Sequence, residues 1–104
     1  MAFSVLLTNQ ALDDIDEHTR LIAQDSLTQA ARWRDTLEAL ILSLADAPDR
    51  FDVIPEAARL KRPYRSVGHF SHRVVYRIDE PANTVFVVRV YHGARKPLAK
   101  KDIQ

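Results

Sequence analysis

Apolar residues in this chain recur every three or four positions between residues 12 and 44, and every second position from residue 64 onward. The two periods belong to different elements, 3.6 being the repeat of one helix face and 2 that of one strand face. A chain that divides its periods in this way builds a helical layer and a sheet from separate stretches, which predicts the α+β class. Ahead of the helical stretch, Phe3, Val5 and Leu7 share one side of a short run that reads as a first strand.

The boundaries follow from capping chemistry. Thr8 or Asn9 suits the N-cap of a first helix, with Asp13 and Asp14 near its positive end. Leu12, Ile15, Thr19 and Ile22 form its apolar stripe. Ser26-Leu27-Thr28-Gln29 has the form of a capping box and starts a second helix. Its stripe is Ala30, Trp33, Leu37, Leu40, Ile41 and Leu44, and Pro48 bounds it. The joint between the helices is short enough to require an antiparallel hairpin. Residues 46–63 hold three prolines and no sustained period.

Three strand signals close the chain: Tyr64 to Phe70, His72 to Ile78, and Val85 to His92, the last two separated by Pro81-Ala82-Asn83-Thr84. Adjacent short strands with tight turns predict a three-stranded antiparallel meander, with the helix hairpin on one face. No linker or repeat divides the 104 residues, which predicts one domain over 1–104. Strand parity puts Val74, Tyr76 and Ile78 on one face of their strand and Arg73, Val75 and Arg77 on the other. In the last strand, Phe86, Val88 and Val90 are expected toward the helices. Arg73, Arg77, Arg89 and Tyr91 then share the opposite, open face, joined by Arg65 and Val67.

Charge points to the same face. Residues 1–56 hold 4 Lys/Arg against 11 Asp/Glu, and residues 57–104 hold 11 against 3, so the halves carry −7 and +8. A basic half containing aromatics and histidines suits a polyanionic partner. The pI of about 8.1 fits docking on a larger assembly better than autonomous nucleic-acid binding. The chain has no cysteine, which excludes disulfides and thiolate zinc sites. Its two glycines form no phosphate loop, and no serine or threonine sits in a nucleophile elbow. The start MAFSVLLTNQ lacks the basic and apolar regions of a signal peptide, and no apolar run approaches the roughly 18 residues of a membrane span. A cytoplasmic domain without cofactor or metal is expected.

Arginines beside Tyr and His suit phosphate, because guanidinium forks bind it bidentately and a ring can stack on a base. Cleavage of RNA by its own 2′-OH needs charge stabilisation and two proton transfers. Arginine meets the first need; His92, Tyr91 or Glu56 meets the second. Strand parity turns His92 toward the core unless the strand ends before it. His69 and His72 flank a turn without a third ligand, His18 lies among polar helix residues and reads as solvated, and Trp33 reads as core.

The opening VLLTNQALDDIDEHTRLIA and the stretch RLKRPYRSVGHFSHRVVYRIDEPANTVFVVRVYHGARKP resemble toxins of the RelE/ParE superfamily from bacterial type II toxin–antitoxin systems. The resemblance covers nearly the whole chain, most tellingly His72–Ile78 and Val85–Arg95. It implies a compact sheet under a helix pair, growth inhibition by the free toxin and a cognate antitoxin partner. RelE-like members cut messenger RNA on the ribosome. By that likeness, Arg73 and Arg65 are catalytic phosphate-binding residues, with Tyr91 or His92 assisting proton transfer. Lys61, Arg77, Arg89, Arg95 and Lys96 are then contacts to RNA or another target. Val67 replaces a lysine of RelE, no tyrosine follows His92, and Glu56 is two positions out of register with the acidic base of the YoeB-like group. ParE-like members poison DNA gyrase without hydrolysing anything, and Val90–Arg95 is similar to ParE-like plasmid-stabilisation proteins. The resemblance therefore implies a ribosome-dependent endoribonuclease first and a gyrase poison as the alternative, with an inactive relative beyond those.

Overall fold

The computed structural model describes residues 2–93 and 97–103. Strand β1 (Ser4–Leu7) leads into helices α1 (Asn9–Asp25) and α2 (Leu27–Ser43). A 3₁₀ turn (Pro48–Arg50) and a one-turn helix α3 (Ala57–Leu60) occupy the proline-rich stretch. Strands β2 (Arg65–His69), β3 (His72–Asp79) and β4 (Thr84–His92) follow, and a second 3₁₀ turn (Lys100–Asp102) lies near the end. The class is α+β, as the two periods imply.

Capping works as the sequence predicts. Thr8 Oγ1 accepts from the Ala11 N–H at 3.2 Å and starts α1. Ser26 serves both helices, its N–H donating to Ile22 O at 2.9 Å and its Oγ accepting from Gln29 N–H at 3.1 Å. One residue thus ends α1 and begins α2, which forces the antiparallel hairpin. The α1 stripe keeps Ile15 and Ile22 in the core as expected but takes Ala11 in place of Leu12, which is exposed. The smaller Ala11 lets the helix backbone approach the sheet, and Leu12 moves to the flank.

The sheet order is β1-β4-β3-β2. Strands β2, β3 and β4 form the antiparallel meander, and β1 adds to it in parallel with β4, Ser4 opposite Thr84 through Leu7 opposite Val87. A parallel pair needs a long crossover, which the helix hairpin and the intervening strands provide. Ala11, Ile15, Trp33, Leu37, Ile41 and Leu44 pack on Val74, Tyr76, Val85, Val87 and Val90. Each such fully buried apolar side chain contributes about 1.5–3 kcal/mol. Burial pushes the Tyr76 phenol up to about 12, and its O–H donates to Pro48 O, tying the first 3₁₀ turn to the sheet.

The opposite face is covered rather than open. Ile54, Ala57, Leu60, Tyr64 and Leu98 form a second core on Val75, Val88 and Tyr91, with Phe86 and Ile103 at its margin. The stretch that lacked a period therefore packs on the face expected to meet solvent.

A bulge in β4 overturns part of the predicted facing. Tyr76 pairs with Val87 and Val75 with Arg89, so Val88 is an extra residue. Before it, Val85 and Val87 meet the helices and Phe86 does not; after it, the alternation resets and Val90 meets them. Of the expected trio Phe86, Val88 and Val90, only Val90 is on the helix side. Beyond Leu7, β4 has lost β1, and α1 caps its exposed edge. Thr8 Oγ1 donates to Val88 O at 3.0 Å and Asp14 Oδ2 accepts from Val90 N–H at 2.9 Å. Among the described residues, no helix is long and apolar enough to cross a membrane.

Candidate functional site

Arg73 and Tyr91 stand directly opposite each other on β3 and β4, with the Arg73 Cζ 5.8 Å from the Tyr91 ring centre. This pair is the centre of the face that the sequence marks out. Arg77 shares it, its Cζ 4.3 Å above the Phe86 ring. Arg89 stays on it as well, its Cζ 5.2 Å from the Tyr91 ring centre, whereas Arg65 and Val67 go elsewhere.

Arg65 pairs with Tyr76, and directly paired residues share a face, so Arg65 lies on the helix side while Arg73 lies on the other. Its Nη1 donates to Phe51 O at 2.6 Å and to Asp49 O at 3.2 Å, which holds the first 3₁₀ turn. Val67 joins the helix-side core rather than the arginine face. Arg89 follows the bulge, pairs with Val75 on the Arg73 face and lies over the Tyr91 ring. It donates from Nε and Nη2 to Asp14 at 2.7 and 2.9 Å, and from Nη1 to Asp102 O at 2.7 Å. The Asp14 carboxylate raises the Arg89 pKa above its ordinary value, against the effect of burial. The expected row of four, Arg73, Arg77, Arg89 and Tyr91, is therefore kept, and only Arg65 and Val67 leave it.

Lys61 is exposed at the end of α3, in a left-handed conformation at φ 60°. Arg95 and Lys96 fall outside the described residues. His92 pairs with His72 at the end of the sheet, its ring 5.0 Å from that of His72, and lines a small cavity with Asp14, Glu17 and His18. Tyr91 and His92 therefore serve opposite faces, and strand parity had placed His92 correctly.

Glu56 is the residue whose role the sequence reading saw least clearly. It is buried at the start of α3, and Arg73 donates to both its oxygens, through Nη1 to Oε1 at 3.3 Å and through Nη2 to Oε2. The Leu98 N–H also donates to Oε2 at 3.0 Å. The Arg73 hydrogen bond, against the opposing effect of burial and with help from the Leu98 amide, brings the Glu56 carboxyl down to about 2. Arg59 Nη2 donates to Leu98 O at 3.2 Å and closes the arrangement. Beside it opens a cavity of about 550 Å³ lined by Pro55, Glu56, Ala58, Arg59, Arg73, Gly93 and Pro97.

Chemically, this is a salt-bridged anchor at the rim of an open cavity. A carboxylate with so low a pKa is a poor general base near neutrality, since base strength falls with pKa. Arg73 already carries a counter-charge, and a phosphate must displace or share it. Among the described residues, no group of three metal-ligating side chains is arranged to hold an ion.

The family model for the ParE toxin of type II toxin–antitoxin systems, parDE, matches residues 5–97. The chain belongs to this family. It is the toxin of a type II toxin–antitoxin system, within the RelE/ParE superfamily. Among solved structures it is similar to a chain of the toxin–antitoxin complex RelBE2 from Mycobacterium tuberculosis, with 22% identity and a TM-score of 0.60. That match covers 91% of this chain and 95% of the other. At that identity the likeness concerns the fold. No curated protein matches the chain.

Two functional features escaped the sequence reading. The Asp14 clamp needs the β4 bulge, which no local pattern announces. His18, read as solvated, is half-buried against His72 and Trp33 at ring distances of 4.1 and 4.7 Å. A signal for Glu56 was present: it closes the acidic half of the chain, and no other acid follows it before Asp79, so it borders the basic stretch that holds Arg73.

Proposed function

We propose that this toxin acts by binding a protein target without hydrolysing RNA, and that the target is DNA gyrase, as its ParE-like resemblance implies. One observation carries the reading: the arginines suited to phosphate are committed within the fold. Arg73 is held by Glu56, Arg89 by Asp14, and Arg65 by two backbone carbonyls. Tyr91 and His92, the proton-transfer candidates, lie on opposite faces of the sheet. In this arrangement the ion pairs shape a rigid surface rather than a reactive one. The part-exposed Arg73 and Arg77 and the cavity beside Glu56 form the contact region.

A second reading has its own observation. Glu56 and Arg73 line an open cavity with Tyr91 buried beside Arg73, and an acid, a phosphate binder and a phenol are what a ribosome-dependent endoribonuclease requires. In that reading Lys61, Arg95 and Lys96 contact RNA, and substrate phosphate draws Arg73 away from Glu56.

Both readings include a cognate antitoxin, matching the basic half of the chain with acidic and apolar residues. Expression of the chain alone separates them. Trapped gyrase–DNA cleavage complexes and loss of supercoiling activity, with messages intact, are expected. Transcripts cut within codons on translated messages only, and spared by Arg73→Ala, would establish the endoribonuclease instead.

A further inference from the structure

All four histidines of the chain meet at one corner, around its one tryptophan. Strand register is the reason. His69 pairs with His72 across β2 and β3, and His72 pairs with His92 across β3 and β4, making a rung of three imidazoles at the sheet end. His18 of α1 lies over His72 at 4.1 Å between ring centres. Trp33 of α2 stands 4.7 Å from His18 and 5.6 Å from both His69 and His72. His69 and His72 are buried, and His69 Nε2 lies 3.2 Å from Trp33 O and 3.3 Å from Thr36 Oγ1.

Neutral imidazoles pack well as small aromatic rings, whereas imidazolium ions at these spacings repel one another. Since the described donors do not converge on a metal position, the ligand that suits these rings is the proton. Among the described residues, the charged groups facing them are few. From α1 come Asp14 and Glu17; from the sheet comes Arg89, held by Asp14; α2 contributes Trp33 and Thr36. Asp14 is engaged by Arg89 and by the Val90 N–H, which leaves Glu17 as the remaining carboxylate for a group of up to four positive rings.

We propose that this histidine corner is a proton-sensitive joint that holds helix α1 on the sheet at neutral pH and loosens it in mildly acidic solution. Through α1 the joint reaches the candidate face. Asp14 on the same helix holds Arg89, and Arg89 holds Asp102 O in the segment whose Leu98 packs beside Tyr91. Movement of α1 therefore frees residues 97–103 as well. His18 has a pKa below its ordinary value, first through burial and then through the charge of His92, against the pull of Glu17. The sign agrees: His18 takes up a proton in the unfolded chain before it does in the folded one, so its contribution to stability declines as pH falls below the ordinary imidazole value.

The test is hydrogen exchange on the full chain at pH 7.5 and 5.5, corrected for intrinsic rates, with Trp33 emission followed between them. Peptides from residues 9–25 and 97–103 are expected to lose at least about fivefold in protection at the lower pH, with α2 little changed. Trp33 emission is expected to change between the two pH values, with a midpoint below the ordinary imidazole value. In His18→Gln the loss shrinks to less than half. Equal protection of α1 at both pH values, or an undiminished loss in His18→Gln, overturns the proposal. Should that variant fold poorly, nuclear magnetic resonance titration of the wild-type rings decides. Coupled titration curves support the joint, and four independent curves near the ordinary value refute it.

Discussion

Replacing Glu56 with glutamine isolates the anchor at the candidate face. The carboxyl passes from 4.5 to about 2 on folding, which corresponds to about 3 kcal/mol of stability at neutral pH. Water in the adjoining cavity screens part of this, so about 2 kcal/mol is the working figure. The sign is that of a depressed acid: the contribution is present in full above about pH 4.5 and is lost as pH falls toward 2. Glu56→Gln keeps the shape and removes the charge, leaving the largely buried Arg73 guanidinium opposite a neutral amide. Urea unfolding followed by far-ultraviolet circular dichroism is the assay, on both proteins from pH 7 down to pH 2.5. The variant should be about 2 kcal/mol less stable at pH 7, with the gap narrowing by at least about 1 kcal/mol at pH 2.5 as the wild-type carboxyl gains its proton. A gap of constant size across that range would refute the reasoning, because the pair would then contribute through packing alone.

Three further perturbations follow from the same geometry. Asp14→Ala strips Arg89 of its carboxylate and leaves the Val90 N–H without its acceptor, so a loss of about 3 kcal/mol is expected in the same unfolding assay. Tyr76→Phe removes the buried hydroxyl that donates to Pro48 O and should cost about 1–2 kcal/mol. Limited proteolysis near Pro48 should quicken with it. Leu98→Ala opens a hole in the second core and is expected to cost about 2–4 kcal/mol. It should also raise hydrogen exchange in α3 while leaving α2 protected.

Much of this protein was legible residue by residue. The helix hairpin follows from Thr8 and Ser26, whose side chains bond amides three residues ahead of them, so the information is local. The β3 faces follow from simple alternation, and the position of His92 from the same parity. Likeness to a toxin family was equally legible in residues 59–97. Tertiary structure alone decided the rest. The extra residue Val88 resets the alternation of β4, and whether a strand bulges depends on the neighbour it must follow. The bulge turns Arg89 onto the face of Arg73 and Tyr91, from where it reaches Asp14, 75 positions away in sequence. Residues 54–64 and 97–103 had no period to read, because their packing answers to a sheet surface that exists only once β3 and β4 have paired. The same pairing gathers histidines from four elements into one corner. Short-range patterns specify elements and their faces; which charges meet across long separations is settled by register, and register belongs to the assembled sheet.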